Sequence, residues 1–315
     1  MKLVFMGTPA FAAVSLQRLL ESEHQVLGVV TQPDRPRGRG MKLSPSPVKE
    51  VATANHLPLF QPERLPDPDF MAFLEKTAPA LIVVVAYGLK IPPVLLNFPP
   101  YGCINVHASL LPKYRGAAPI QAVLLNGETE TGITTMQMDE GWDTGDLLLT
   151  RRVPIAYEDN FGTLHDRLAT IGAEVLLETL DGLARGTIKP QPQKHQEATY
   201  VRKLTEDDYR LNWQEPTLAL YNRIRAFDPF PGARTCLHGE TLKVWAARPS
   251  KDWCGLKEAK PGTIGELKKE QGGGLPVRTG DGVLLLEEVQ SPGKKRLHVQ
   301  QFLAGNPLPS GLTLG

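Results

Sequence analysis

Residues 80–88 read ALIVVVAYG. The run from Ala80 to Ala86 is apolar throughout, shows no polar alternation and is closed by Tyr87 and Gly88. A continuous apolar run of this length, rich in valine, is typical of a strand that is buried on both faces. Strands of that kind belong to parallel sheets, in which helices connect one strand to the next and cover both faces. The stretch therefore predicts a central strand of an α/β sheet.

Similar runs lie on either side of it, namely KLVFMG (2–7), QVLGVVT (25–31) and GCINVH (102–107), followed by TGITTMQM (131–138) and DLLLTRRV (146–153). Segments with helical apolar spacing separate several of them, such as FAAVSLQRLLES (11–22) and the long stretch 162–183. This alternation predicts a mostly parallel, Rossmann-like sheet with helices on both faces. Ligands bind such sheets at the carboxyl ends of the strands. We therefore expect the loops at 7–9, 86–88 and after 107 to form one cleft.

The second half of the chain has a different organisation. Residues 186–212 are rich in Pro, Gln and Lys and lack apolar periodicity, which indicates a linker. Short strand-like runs follow one predicted helix, among them RTCLHG (234–239), GVLLLEEV (282–289) and RLHVQQFL (296–303). Runs of this spacing, separated by Gly and Pro, predict a small antiparallel barrel. We expect a catalytic domain over 1–188, a linker over 189–208 and a C-terminal domain over 209–315.

The 315 residues carry a net charge of +1, which conceals an asymmetry. Residues 1–188 hold 16 basic and 20 acidic side chains (−4), and residues 189–315 hold 19 and 14 (+5). The basic half is either an ordinary solvated surface or a surface that meets a polyanion, and charge alone leaves both open. Three cysteines without a CxxC pair indicate a reducing compartment. Because the N-terminal apolar run is too short for a signal peptide, we expect a cytoplasmic protein.

The loop after the fourth strand carries the first candidate for catalysis, in CINVHASLLPKYRGAAPIQ (103–121). Asn105 and His107 are two residues apart, so in a strand they point to the same face. An amide can donate to a developing oxyanion, and an imidazole can exchange a proton near neutral pH. Together they suit a tetrahedral intermediate at a carbonyl group. The motif is so short that, taken alone, it is more often a buried polar pair that bonds loop backbone.

Two neighbouring features leave alternatives open. The turn DEGWDTGD (139–146) supplies four carboxylates, of Asp139, Glu140, Asp143 and Asp146, any of which could orient His107. Spacing does not select one, and Asp and Gly form turns without any further function. Lys113 and Arg115 either meet an anionic substrate or solvate their loop.

The stretch QPDRPRGRGMKLSPSPVK (32–49) is rich in basic residues and longer than most connections. A mobile basic loop beside a cleft suits a phosphate backbone, and the alternative is a disordered, solvated loop. GTPAF (7–11) follows the first strand but is not a GxGxxG or Walker motif. Binding of a dinucleotide or a nucleoside triphosphate therefore has little support.

In this order, GTPAF, TQPDRPRGRG, VVVAYG, NVHASLLPKYRGAAPIQ and DEGWDTGD resemble the folate-dependent formyltransferases, most closely those acting on methionyl-tRNA. The resemblance extends along the whole chain. It implies a Rossmann-like N-terminal domain, a C-terminal OB-like barrel, and a monomeric enzyme that needs no metal and no membrane. The implied reaction moves the formyl group of 10-formyltetrahydrofolate to the α-amine of initiator methionyl-tRNA, for translation initiation.

The resemblance also assigns residues. It implies Asn105, His107 and Asp143 as catalytic. It places the folate at Ser109, Leu110, Leu111 and Pro112, with backbone contributions around Tyr87, Gly88, Lys90 and Pro92 and from the 138–143 turn. It implies a tRNA contact at Arg39, and the basic loop extends that contact to Arg35, Arg37 and Lys42. Trp142 departs from the family pattern, which has a smaller aliphatic residue there.

Three alternatives remain at this point. A formyltransferase for an amino sugar nucleotide or another small amine would share the catalytic core without needing the basic loop. A nucleotide-dependent oxidoreductase could use the same scaffold, because a fold does not determine a function. An RNA-binding protein with a relict enzyme domain is the third, and measurable turnover would exclude it.

Overall fold

The computed structural model describes residues 1–37, 42–267 and 273–315. Its strands are β1 (Lys2–Gly7), β2 (Gln25–Val30), β3 (Arg35–Arg37), β4 (Lys42–Ser44), β5 (Leu59–Phe60), β6 (Leu81–Val85), β7 (Cys103–His107), β8 (Arg115–Gly116), β9 (Glu130–Gln137), β10 (Leu147–Pro154), β11 (Tyr200–Val201), β12 (Ala233–Leu237), β13 (Glu240–Pro249), β14 (Leu275–Arg278), β15 (Val283–Gln290) and β16 (Leu297–His298). Its α-helices are α1 (Ala10–Leu20), α2 (Pro47–Ala54), α3 (Pro68–Thr77), α4 (Pro93–Leu96), α5 (Pro119–Leu125), α6 (Phe161–Ala184), α7 (Thr217–Ala226) and α8 (Val299–Gly305), and 3₁₀ turns span His195–Glu197 and Glu206–Tyr209.

The chain divides into two compact units. Unit 1 comprises residues 1–119, 130–154 and 165–201, and unit 2 comprises residues 120–129, 155–164 and 202–315. Residues 189–201, part of the predicted linker, thus belong to unit 1. The predicted domain boundaries at 188 and 208 stay predictions.

Unit 1 is built on one sheet with the strand order β10-β9-β7-β6-β1-β2-β5. Strands β5, β2, β1, β6 and β7 are parallel, and β9 pairs antiparallel with both β7 and β10. The stretch quoted first forms β6, in which every residue from Leu81 to Val85 is buried. Burial on both faces explains why this strand lacks polar alternation. The predicted mostly parallel α/β sheet is confirmed.

Unit 2 contains a second, antiparallel sheet in the order β12-β13-β15-β14, with β16 paired to β15. Its core includes Leu220 and Ile224 of α7, Val244 of β13, Leu286 of β15 and Phe302 of α8. The predicted antiparallel C-terminal strands are confirmed. No helix among the residues described combines the length and the apolarity needed to cross a membrane.

One predicted strand was wrong in part. RLHVQQFL forms only the two-residue strand β16 and then continues as helix α8. His298 is the N-cap of this helix, and its Nδ1 accepts a hydrogen bond from the backbone N of Gln300 at 3.4 Å. Val299 and Phe302, three residues apart, then lie buried on one helix face. The run was too short for strand and helix periods to be told apart.

An ion pair in unit 2 leads to a prediction on acid stability. Asp208 accepts hydrogen bonds from Arg202 Nη2 at 2.6 Å and from the backbone N of Thr205 at 2.6 Å. The Arg202 guanidinium, helped by Thr205, lowers the pKa of Asp208 from 3.8 to about 2. Because this pKa is lower in the folded state than in the unfolded state, the stabilisation is complete above about pH 4 and is lost as the pH falls to 2.

We expect Asp208→Asn to lower the free energy of unfolding by about 1 kcal/mol at pH 7, a value reduced for the solvent exposure of Arg202. The difference from the unsubstituted chain should disappear near pH 2. Urea unfolding at a series of pH values measures both quantities. Asp207→Asn, on the same turn but exposed, is the matched control. A pH-independent difference for Asp208→Asn would contradict the assignment.

Candidate active site

The candidate site lies in unit 1, where β6 and β7 end. Strand β7 pairs in parallel with β6 and antiparallel with β9, so its last residue, His107, lies at the carboxyl edge of the parallel strands. Asn105 and His107 occupy alternate positions of β7, and both therefore project to the same face of the sheet. His107 is buried and Asn105 is partly buried. The edge is the one at which ligands bind in sheets of this class.

Asp143 joins this pair from the turn between β9 and β10. Its Oδ1 accepts a hydrogen bond from Asn105 Nδ2 at 3.4 Å, and its Oδ2 lies 3.6 Å from His107 Nδ1. The backbone N–H of Gly116 donates to the same Oδ2 at 2.8 Å. The side chain of Asp143 is only 13% exposed. The structure thus brings together Asn105, His107 and Asp143.

The other carboxylates of the turn lie differently. Asp139 Oδ1 accepts hydrogen bonds from the backbone N of Gly141 at 3.0 Å and from Thr144 Oγ1 at 2.6 Å. This carboxylate therefore stabilises the turn itself, as Asp does in many turns. Glu140 is exposed. Of the four carboxylates that spacing left open, Asp143 is the one hydrogen-bonded to Asn105.

The hydrogen bonds of His107 determine which of its nitrogens carries the proton. Its Nε2 lies 3.0 Å from the backbone carbonyl oxygen of Tyr114. Because a carbonyl oxygen only accepts, Nε2 donates and carries a hydrogen. In the neutral ring the lone pair is then on Nδ1, the atom that faces Asp143. Nδ1 is therefore the position at which this imidazole can gain or lose a proton.

Position 116 requires a glycine. Its φ is +112°, and a Cβ at this position would lie 2.3 Å from the carbonyl oxygen of Val201. The close approach arises because β8 pairs in parallel with β11, with Arg115 opposite Tyr200 and Gly116 opposite Val201. Only glycine tolerates both the backbone conformation and the contact. The pairing fixes the N–H that donates to Asp143.

Arg115 is buried, with 1% of its surface exposed. The sequence offered it as a contact for an anionic substrate or as a solvated loop residue, and the structure contradicts both. Its Nε and Nη2 donate to Gln193 Oε1 at 3.2 and 2.7 Å. Nothing in the sequence relates two residues 78 positions apart, so Gln193 was missed. Lys113, by contrast, is exposed as expected.

The segment assigned to folate by resemblance, Ser109–Pro112, follows directly from β7. Ser109 is fully buried, its Oγ donates to the carbonyl of Lys113 at 2.6 Å, and its own carbonyl accepts from Thr134 Oγ1 at 2.7 Å. The backbone N of Leu111 donates to the same Thr134 hydroxyl at 3.3 Å. Leu110 and Pro112 are partly exposed. The side chain of Ser109 therefore holds the shape of this loop.

The second such segment, Tyr87–Pro92, follows β6. Burial raises the pKa of Tyr87 to about 12, and its hydroxyl finds no hydrogen-bond partner among the residues described. Its carbonyl oxygen accepts from Thr8 Oγ1 at 3.1 Å. Gly88 and Lys90 are exposed, and a Cβ at Gly88 would meet no atom within 4 Å. Open space therefore lies in front of the backbone at Gly88, whereas the ring of Tyr87 packs in the core.

The basic loop forms a hairpin as far as the structure describes it. Strands β3 and β4 pair antiparallel, with Arg35 opposite Ser44. Arg35 is exposed. Arg37 is the last residue of β3 and Lys42 is the first residue of β4, and Arg39 lies outside the residues described. Lys49 adds little positive charge to this surface, because its Nζ forms an ion pair with Asp34 Oδ2 at 2.6 Å.

Two family models match this chain. Residues 1–180 match the family described as "Formyl transferase", and residues 203–307 match "Formyl transferase, C-terminal domain". The chain belongs to the formyl transferase family. The prediction that it is a formyl-transferring enzyme is thereby confirmed, and an oxidoreductase is not favoured.

Full-length relatives show which members of the family this formyl transferase is similar to. It is 49% identical over 313 residues to the methionyl-tRNA formyltransferase of Pelobacter propionicus, covering 99% of this chain and 96% of the relative. It is 49% identical to the methionyl-tRNA formyltransferase of Pelotomaculum thermopropionicum, covering 100% and 99%. The predicted resemblance to methionyl-tRNA formyltransferases along the whole chain is confirmed.

Solved structures support the fold. HypX from Aquifex aeolicus in complex with tetrahydrofolic acid matches with a TM-score of 0.66 at 21% identity, over 100% of this chain and 50% of that chain. This formyl transferase thus spans about half the length of HypX. The methionyl-tRNA formyltransferase from Clostridium thermocellum matches with a TM-score of 0.54 at 17% identity, over 79% of this chain and 94% of that one.

Proposed function

We propose that this formyl transferase moves the formyl group of 10-formyltetrahydrofolate to the α-amine of initiator methionyl-tRNA, in the cytoplasm. The observation that carries the proposal is the identity of 49% to methionyl-tRNA formyltransferases across both units. Because full-length relatives of this identity are methionyl-tRNA formyltransferases, an amino sugar nucleotide as acceptor is not favoured.

The chemistry takes place at a formyl carbon. Attack by the α-amine places negative charge on the formyl oxygen, and hydrogen-bond donors aimed at that oxygen lower the barrier. Asn105 Nδ2 carries two hydrogens, of which one points at Asp143. We assign the second to the oxyanion. Release of the tetrahydrofolate nitrogen then needs a proton, and the attacking amine must lose one.

His107 and Asp143 handle these protons. The bond from Nε2 to the Tyr114 carbonyl leaves Nδ1 of His107 as the nitrogen that takes or gives a proton. Asp143 Oδ2, 3.6 Å from Nδ1, stabilises the imidazolium that results. A direct hydrogen bond is shorter than this distance, so we assign the proton relay to a bridging water.

The folate is held by the loops that follow β6 and β7. A pterin needs backbone donors and acceptors, and these loops adjoin each other because β6 and β7 are neighbours in the sheet. The open space at Gly88 and the exposure of Lys90 fit this role. Ser109 and the backbone N of Leu111 act indirectly, since Ser109 Oγ bonds to the Lys113 carbonyl within the loop and the Leu111 N–H bonds to Thr134 of β9. Leu110 and Pro112 supply the partly exposed wall.

The basic stretch 32–49 and the basic C-terminal half bind the tRNA in this proposal. Arg35, Arg37, Arg39 and Lys42 lie within eight positions of one another, and residues 189–315 carry a net charge of +5. Cationic side chains of this density suit a phosphate backbone. We propose that the chain acts as a monomer.

An acceptor comparison tests the proposal. Formyl transfer from 10-formyltetrahydrofolate is measured with initiator methionyl-tRNA, with free methionine and with an amino sugar nucleotide. We expect rapid transfer to the charged tRNA alone. Transfer to either small amine at a comparable kcat/KM would overturn the acceptor and keep the chemistry of Asn105, His107 and Asp143.

The basic stretch 32–49 gives a second prediction. Arg39→Ala should weaken tRNA binding and reduce the slope of log affinity against log salt by about 1, the value expected for one lost phosphate contact. Filter binding between low and moderate salt measures the slope. Lys76→Ala removes the same charge from the exposed end of α3 and should leave it unchanged. An unaltered slope for Arg39→Ala would remove this residue from the tRNA surface.

A further inference from the structure

Arg115 is among the largest fully buried side chains of the chain. Its donors are aimed at Gln193 Oε1, at the hydroxyl of Tyr200 at 2.9 Å and at Nδ1 of His195 at 3.1 Å. Its guanidinium also lies 5.6 Å from the centroid of the Tyr200 ring. Burying a guanidinium costs free energy unless its hydrogens find acceptors. A buried arginine that the proposed chemistry does not use therefore calls for another role.

Gln193 connects Arg115 to the turn that carries Asp143. Its Oε1 accepts two hydrogen bonds from Arg115, so its Nε2 faces the opposite way. Nε2 donates to the carbonyl oxygens of Asp143 at 2.9 Å and of Gly145 at 2.6 Å. A guanidinium only donates, so Arg115 fixes which end of the amide points at the turn.

The backbone next to Arg115 holds Asp143 from the other side. Gly116 N–H donates to the Oδ2 of Asp143, and the pairing of β8 with β11 fixes that N–H. The main chain of Asp143 is thus held through the Arg115 side chain, and its carboxylate is held by the following residue. Asp143 has φ +54°, a conformation that residues other than glycine rarely adopt. Such a conformation persists where surrounding bonds impose it.

We propose that Arg115 and Gln193 are positioning residues, which together aim the Asp143 carboxylate at Asn105 and His107. The inference rests on the proposed function of Asp143. It also assigns a task to residues 189–201, because Gln193, His195 and Tyr200 all come from a segment that the sequence presented as a linker. This segment forms part of the site in unit 1.

The sharpest test is Gln193→Glu. The glutamate keeps an acceptor for Arg115 but cannot donate to the carbonyls of Asp143 and Gly145. We expect kcat to fall by about 30- to 100-fold, because a displacement of about 1 Å near the chemistry can cost 100-fold. The KM for methionyl-tRNA and the melting temperature should change little, since the ion pair with Arg115 replaces the lost bonds. A kcat equal to that of the unsubstituted chain would overturn the proposal.

A double-mutant cycle separates positioning from a general structural effect. In an Asp143→Asn background, Gln193→Glu should lower kcat by less than about 2-fold, because residues that act through one group are not additive. A full 30- to 100-fold loss in that background would show that Gln193 acts independently of Asp143 and would overturn the proposal.

A second variant covers the case in which Gln193→Glu does not fold. Tyr200→Phe removes one acceptor of Arg115 from a side chain that is 67% exposed, so the fold should persist. We expect kcat to fall by about 3-fold, a loss of the size of one hydrogen bond, and to fall no further in the Asp143→Asn background. An unchanged kcat in Tyr200→Phe would exclude Arg115 from the proposal.

A crystal structure of Gln193→Glu tests the positioning role without depending on which amine accepts the formyl group. We expect the 2.8 Å bond between Gly116 N and Asp143 Oδ2 to be broken or lengthened. If it is retained, the positioning proposal fails, whatever the enzyme formylates. If the unsubstituted chain formylates no methionyl-tRNA while the bond is broken in the variant, the proposed function fails and the positioning role stands.

Discussion

Replacing His107 by glutamine should lower kcat for formyl transfer by about 1000-fold, within the range for loss of a general acid–base group. The reason lies in the two ring nitrogens. Nε2 donates to the Tyr114 carbonyl at 3.0 Å, a bond that the amide nitrogen of glutamine can also form. Glutamine has no group that exchanges a proton in place of Nδ1, the nitrogen that faces Asp143. The variant therefore keeps the local hydrogen bond and loses the proton exchange.

The measurement is single-turnover transfer to methionyl-tRNA, together with tRNA affinity and melting temperature. Affinity should stay within about 2-fold, because His107 is buried in the site and does not belong to the basic surface. His56→Asn is the control: His56 is exposed and has φ +53°, which asparagine tolerates. Transfer at the normal rate by His107→Gln would exclude this imidazole from the chemistry.

The fold followed from the sequence because buried strands have a simple signature. The apolar stretch at 80–88 became β6, and KLVFMG became β1 with all positions after Lys2 buried. Antiparallel runs such as GVLLLEEV also became strands, here β15. RLHVQQFL, of the same length, did not, because a run this short fits both periods and its Val299 and Phe302 are spaced as on one face of a helix. The division into units was not predictable, because residues 120–129 and 155–164 join unit 2 through packing that spacing does not encode.

The site was predictable only where its residues are close in sequence or fit a known pattern. Asn105 and His107 lie two residues apart on one strand, so their closeness in space follows from the alternation of side chains along a strand. Asp143 could not be chosen among four carboxylates by spacing, and the resemblance selected it. Arg115 was misread, because a basic residue in a polar loop is usually solvated. Its burial depends on Tyr200, which the pairing of β8 with β11 places opposite it, and on Gln193, 78 positions away in the sequence.

Asp143→Asn should lower kcat by about 100- to 1000-fold while the folded structure is kept. Asparagine matches aspartate in shape and tolerates φ +54°. Its Oδ1 can accept the Gly116 N–H, but its Nδ2 then meets Asn105 Nδ2, donor against donor. The amide of Asn105 must turn, and no charge remains to stabilise the imidazolium of His107.

Glu140→Gln removes the same charge from an exposed side chain of the same turn and should retain at least about half of the activity. Comparing kcat for these two variants separates a specific role of the Asp143 carboxylate from an effect of the net charge of the turn. Equal losses would show that the turn acts through its charge alone, and the geometry around Asp143 would then have no catalytic meaning. A large loss in Asp143→Asn alone would show that the carboxylate acts from the position in which Gly116 and Asn105 hold it, because its position then matters as much as its charge.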